Sequence, residues 1–160
     1  MQSFLQLLEN DCRLTAEQLA VLCGKEVGDI RAMIDDYERA GVLLGYKAVI
    51  DWDKTDREYV TALIELKVIP QRDRGFEEVA DRISAFPEVQ SVFLMSGGFD
   101  ICVMLEGKTM REIAAFVAKK LAPMDSITST ATHFVLQKYK DRGVVYSAPK
   151  GDARGNDGIC

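Results

Sequence analysis

Val89-Gln90-Ser91-Val92-Phe93-Leu94-Met95-Ser96-Gly97-Gly98-Phe99-Asp100-Ile101-Cys102-Val103-Met104-Leu105 reads as two strands folded back on one another. Val89 to Met95 and Ile101 to Leu105 are rich in β-branched and large apolar residues, and the five residues between them are turn formers. Gly97-Gly98 is the pairing that a tight two-residue hairpin turn uses. Upstream, Phe76, Val79, Ala80, Ile83 and Phe86 make one helical stripe closed by Pro87. Before that stripe, Tyr59 to Val68 alternates: Val60, Ala62, Ile64, Leu66 and Val68 share one face, Thr61, Glu65 and Lys67 the other, and Pro70 ends the strand. Downstream, Met110, Ile113, Ala114, Phe116, Val117 and Leu121 line a second helix, and Pro123-Met124-Asp125 turns the chain into a strand from Ile127 to Leu136. The order β-α-β-β-α-β predicts a ferredoxin-like sandwich, an antiparallel sheet with two helices on one face, over residues 58–146.

Residues 1–51 follow a different period. Phe4, Leu5, Leu7 and Leu8 give a short helical face that Asn10-Asp11 ends. Thr15-Ala16-Glu17-Gln18 matches a capping box, and Leu19, Ala20 and Leu22 are expected to face inward behind it. Cys23-Gly24-Lys25 is a tight turn, and a third helix runs from about Val27 to Ala40 with Ile30, Met33, Ile34 and Tyr37 as its apolar stripe before Gly41 stops it. Gly45 to Asp51 alternates as a linking strand. This is a winged-type helix-turn-helix, the arrangement that presents its last helix to a major groove, so the fold class is α+β. A plain three-helix packing unit fits the pattern equally well. The polar stretch 51–58 marks the boundary between the two modules, and residues 147–160, rich in Gly, Asp and Lys, read as a disordered tail.

Charge opposes the DNA reading. Arg13, Lys25, Arg31, Arg39 and Lys47 face nine carboxylates within residues 1–51, which places −4 of the chain's net −5 in this module. DNA affinity depends on cations meeting phosphates, and Asp35 and Asp36 in the third helix would repel them. The bulk numbers exclude other classes. With 160 residues, 48% of them hydrophobic, the chain can build a core, but two small modules are each marginal and dimerisation is the usual remedy. No apolar run approaches the roughly 18 residues of a membrane span, and Met1 leads directly into an amphipathic segment, so neither a membrane partner nor a signal peptide is expected. Cys12, Cys23, Cys102 and Cys160 are scattered without CxxC spacing, so no metal site or cofactor is called for and a cytoplasmic protein with reduced thiols is expected.

Leu14-Thr15-Ala16-Glu17-Gln18-Leu19-Ala20, Gly41-Val42-Leu43-Leu44-Gly45-Tyr46, Phe86-Pro87-Glu88-Val89, Ser96-Gly97-Gly98-Phe99-Asp100 and Thr128–Val135 stand in an order and spacing that resembles the Lrp/AsnC family of feast/famine transcription regulators. The resemblance covers residues 4 to about 146. It implies a DNA-binding regulator, a homodimer with sheets face to face that often assembles into octamers, and a small effector, usually an amino acid, bound between subunits. Carried onto this chain, DNA contact falls to Lys25, Arg31, Arg39 and Arg13. The effector loop falls to Ser96, Gly97, Gly98, Phe99 and Asp100, with His133 and Phe134 on the last strand. The glycines would let backbone N–H groups approach a carboxylate, and Asp100 would accept from an ammonium group. Each has a plainer reading: turn chemistry for the glycines, a turn cap for Asp100, and a packed or interface position for His133. The chain departs from the family where Glu26-Val27-Gly28 replaces the usual Ser/Thr opening of the recognition helix, and where Ala32 and Asp35-Asp36 replace mid-helix cations.

Two rivals follow. A metabolite-sensing or subunit-modulating protein with degenerate DNA binding is favoured by the acidic helix. An enzyme built on the same double architecture, similar to haem-pathway decarboxylases, is disfavoured, because His133 is the only imidazole and no second histidine can assist acid–base work.

Overall fold

The computed structural model describes residues 4–69 and 75–146, in two units that meet in sequence between Ile50 and Asp51. The first unit holds α1 (Phe4–Asn10), α2 (Ala16–Cys23) and α3 (Val27–Arg39). The capping box at α2 is complete: Thr15 Oγ1 accepts from the Gln18 N–H at 3.2 Å and Gln18 Oε1 accepts from the Thr15 N–H at 2.8 Å. Gly24 ends α2 with φ 64°, a conformation that favours glycine, and its N–H returns to the last carbonyls of the helix. Leu19 and Ile30 are fully buried, Phe4, Leu8 and Ala20 join them, and Met33, Ile34 and Tyr37 pack at the edge. Phe4 stacks on Tyr37 with centroids 5.9 Å apart. Leu22 departs from expectation and is exposed, because the inward face of this short helix is filled by Leu19 and Ala20.

α3 starts without a side-chain cap: Glu26 occupies the N-cap position in extended geometry and makes no capping hydrogen bond. Gly28 weakens the same first turn, and a Cβ placed there meets nothing within 4 Å. Gly28→Ala is therefore expected to stabilise the first unit by about 0.5–1 kcal/mol, read as a higher urea midpoint with an unchanged slope.

The linking strand expected over 45–51 is not formed. These residues pair with no strand among the described residues, and Leu44, Tyr46, Val49 and Ile50 stay exposed. A strand needs a neighbour to take its backbone groups, and alternation alone does not supply one. Among the described residues the helix-turn-helix accordingly carries no wing hairpin.

The second unit opens with a short 3₁₀ turn (Trp52–Lys54) and continues through β1 (Val60–Val68), α4 (Glu77–Ser84), β2 (Val89–Leu94), β3 (Ile101–Gly107), α5 (Met110–Phe116) extended by a π turn (Val117–Leu121), and β4 (Ile127–Phe134). The sheet order is β2-β3-β1-β4, antiparallel throughout, with Ile64 opposite both Val103 and Thr132. This is the ferredoxin-like order. Ala62, Ile64, Leu66 and Val68 of β1 face the helices and form one core with Val79 and Ile83 of α4 and Ile113 and Phe116 of α5. Phe86 meets Phe116 edge to face at 5.3 Å. Within α5 the apolar stripe is narrower than expected: Met110 and Ala114 are exposed, while Ile113, Phe116, Val117 and Leu121 are buried.

A small hairpin follows, β5 (Lys140–Asp141) with β6 (Val144–Val145). Its turn has Arg142 at φ 47° and Gly143 at φ 81°, the two positive angles of a type I′ turn. Cys12, Cys23 and Cys102 are free thiols. The tail expected over 147–160, with Cys160, and the strand stop at Pro70 lie outside the described residues.

Candidate functional site

Two regions carry the expected chemistry, one on each unit. On the first, Gly28, Ala32, Asp35 and Arg39 occupy the stripe of α3 diametrically opposite buried Ile30, at 100° per residue. A groove lying against this helix would meet Asp35 on that stripe. Arg31 sits to one side and gives its Nη2 to Glu17 Oε1 of α2 at 2.9 Å. Arg39 pairs with Asp36 at 3.0 Å and Arg13 with Asp11 at 3.4 Å. Three of the four expected DNA-contacting side chains are thus held by carboxylates, while Lys25 makes no ion pair among the described residues. These pairs are exposed, and such pairs contribute about 0–1 kcal/mol each. Glu17 is held below the usual carboxylate range by its backbone hydrogen bond first, then by Thr15 and Arg31. It therefore remains charged, and remains a partner for Arg31, well into acid.

On the second unit, residues 96–100 form an open loop between β2 and β3, not the tight two-residue turn expected. Neither Gly97 nor Gly98 has a positive φ, so the hairpin does not require glycine at either position. A Cβ at either glycine would point into open space. The absent side chains therefore leave backbone uncovered. Ser96, Gly97 and Gly98 are exposed, and Phe99 and Asp100 are half-buried.

Asp100 is fixed by three hydrogen bonds. Its N–H donates to the Leu66 carbonyl at 2.9 Å, its carbonyl accepts from the Met95 N–H at 2.8 Å, and its Oδ2 accepts from the Val68 N–H at 2.8 Å. The β1–β3 ladder ends at Leu66 opposite Ile101, so the carboxylate supplies the acceptor that Val68 would otherwise lack. Asp100→Ala is expected to destabilise the second unit by about 1–3 kcal/mol by leaving this N–H unpaired, whereas Asp100→Asn, which keeps an acceptor oxygen, is expected to retain most of that stability in a urea titration.

His133 and Phe134 do not join the loop within one chain. His133 lies opposite Leu63 and Phe134 opposite Ala62, about 10 Å along β1 from Leu66. They point to opposite faces: Phe134 packs on the core, while His133 Nε2 meets Glu65 Oε1 at 3.3 Å on the face away from the helices. The sequence reading missed Glu17 as the partner of Arg31 and Val68 as the partner of Asp100. Neither has a local signal, because both contacts join residues far apart in the chain.

Residues 61–145 match the family model described as the Lrp/AsnC ligand binding domain. An uncharacterised HTH-type transcriptional regulator of Bacillus subtilis (strain 168), YugG, is 44% identical over 94% of this chain and 91% of its own length. The regulatory protein AsnC of Haemophilus influenzae is 24% identical over 85% of this chain and 89% of its own. Among solved structures, a transcriptional regulator from Neisseria meningitidis in complex with L-Met superposes with a TM-score of 0.69 at 23% identity, covering 91% of this chain and 92% of that one. No described helix is long and apolar enough to cross a membrane. An 85-residue domain match together with a near full-length relative at 44% identity settles the affiliation over the enzyme alternative: this chain belongs to the Lrp/AsnC family of transcription regulators.

Proposed function

We propose that this chain is a ligand-responsive DNA-binding regulator of the cytoplasm that senses an amino acid through its second unit. DNA contact rests on Arg31 and Arg39 of α3, with Lys25 and Arg13 beside them. The observation that carries the sensing role is the 96–100 loop, where two glycines leave backbone uncovered although the hairpin requires neither. A carboxylate placed there would meet N–H groups, and the free oxygen of Asp100 would take the ammonium. Because His133 stands apart from the loop within one chain and Phe134 packs on the core, a site that joins the loop to His133 has to be completed by a second copy. A homodimer, or an octamer built from dimers, supplies it. L-Met, found with the Neisseria protein, is the first ligand to try.

Thermal unfolding with each L-amino acid tests the sensing role. A ligand at 100 times its Kd adds about 2.7 kcal/mol, and Gly98→Val, which fills the open backbone, is expected to abolish the gain. No stabilisation by any amino acid, in a folded protein, would contradict it. A second reading, a sensing subunit with degenerate DNA binding, is favoured by Asp35 on the outermost stripe of α3.

A further inference from the structure

The hairpin of β5 and β6 carries a basic tip in an acidic chain. Its two strands pair Lys140 with Val145 and Asp141 with Val144, and they join no other strand among the described residues. The Tyr146 N–H closes the ribbon on the Tyr139 carbonyl at 2.9 Å. Within residues 137–146, Lys138, Lys140 and Arg142 stand against one carboxylate, Asp141, although the chain as a whole has a net charge of −5. Lys140 and Arg142 are exposed, and Asp141 is half-buried.

Arg142 holds its place at a conformational cost. Among the described residues it is the only non-glycine residue with a positive φ, at 47°. A type I′ turn favours Asn, Asp or Gly at this position. In the left-handed region Cβ crowds the following carbonyl oxygen, and a short polar side chain can offset that by bonding locally. Arginine gains nothing comparable here, since its guanidinium makes no ion pair and no hydrogen bond among the described residues. Strain of this kind gathers where a side chain serves function.

The cations of the first unit behave differently. Arg13, Arg31 and Arg39 are each held by a carboxylate, whereas Lys140 and Arg142 have none to leave. Two further carboxylates act on the Tyr146 hydroxyl beside the hairpin, and both are engaged elsewhere: Asp51 by the Lys54 ammonium at 3.0 Å and Asp53 by the Tyr59 hydroxyl at 3.2 Å.

We infer, on the DNA-binding reading proposed above, that this hairpin is a second DNA contact in which Arg142 and Lys140 meet backbone phosphates. A row of phosphates is the complement of unpaired cations on an exposed tip, and such contacts position a protein without reading bases. The strained arginine is kept for its charge, where asparagine would serve the turn better.

Full-length protein is titrated across a range of salt onto the fragment upstream of its own gene and onto an unrelated duplex of equal length. Arg142→Asn gives the turn its preferred dipeptide, so its urea midpoint is expected to be no lower than that of wild type. Its DNA binding is expected to weaken about eightfold at 0.1 M salt for each hairpin on the duplex, and equally on both duplexes. The slope of log affinity against log salt is expected to become shallower by about 0.9 per lost contact. Lys140→Gln is expected to do the same, and Arg142→Lys, which keeps the charge, to retain most of the affinity. Arg82→Gln, which removes the same charge from exposed α4, is expected to leave the slope unchanged. If wild type binds and Arg142→Asn and Lys140→Gln keep its slope, the hairpin contact is overturned while the DNA-binding reading stands. An equal loss in Arg82→Gln also overturns it, since the effect is then one of net charge. A wild type that retains neither duplex overturns both.

Discussion

Ile64→Ala is expected to destabilise the second unit by about 2–5 kcal/mol. Ile64 is fully buried at the middle of β1, the strand flanked by β3 and β4, where it opposes Val103 and Thr132 and faces the helices. The deleted carbons lose their transfer free energy and leave a cavity that neighbours on both sides of the strand, held by two ladders, can only partly close. With domain stabilities of about 5–15 kcal/mol, a loss of this size brings partial unfolding within reach at physiological temperature. Leu44→Ala, at a residue 91% exposed on the first unit, is the contrast and is expected to stay within about 0.5 kcal/mol of wild type. Urea titrations decide: the Ile64→Ala midpoint falls with its slope unchanged, and a small shift would mean that β1 is not the centre of the core.

The second large effect concerns DNA. Arg31→Ala is expected to weaken specific binding by about 1.4–2.8 kcal/mol, or ten- to a hundredfold. Arg31 reaches DNA only by leaving Glu17, and that pair is too exposed to hold it against a phosphate or a guanine edge. Glu17→Gln removes the competitor and is expected to tighten binding. Asp35→Asn, on the outermost stripe of α3, is expected to do the same by relieving repulsion of phosphates. An affinity indifferent to all three changes would place the DNA contact elsewhere.

Much of the fold is legible in the sequence because its signals are local. The period-two alternation of Val60–Val68 and the helical stripe of Val79 and Ile83 each identify both an element and its buried face. The Thr15–Gln18 capping box fixes the start of α2 by reciprocal bonds between residues three apart. What the sequence hides is partnership. Gly45–Asp51 alternates like a strand yet finds no neighbour, since pairing depends on another segment being present. Gly97-Gly98 looks like turn chemistry, but the loop around it is long enough to need no positive φ. Asp100 is recognisable as a polar residue in a loop, but its bond to Val68 spans 32 positions and exists only once the sheet is assembled. Thr61 reads as an ordinary strand threonine, and its unpartnered hydroxyl emerges only from the packing around it. Charge behaves similarly: the excess of carboxylates in residues 1–51 is visible as a sum, whereas which of them hold Arg31, Arg39 and Arg13 is a matter of geometry.

The salt dependence of DNA binding tests the regulator most directly. The purified, oligomer-checked protein is titrated onto the fragment upstream of its own gene at increasing salt, beside Arg31→Ala. The account predicts specific binding in wild type whose affinity falls steeply and linearly on logarithmic axes with salt, and a ten- to hundredfold weaker complex for the variant. A folded, oligomeric wild type that retains no fragment even at low salt would contradict it and leave the second unit's ligand chemistry as the chain's function.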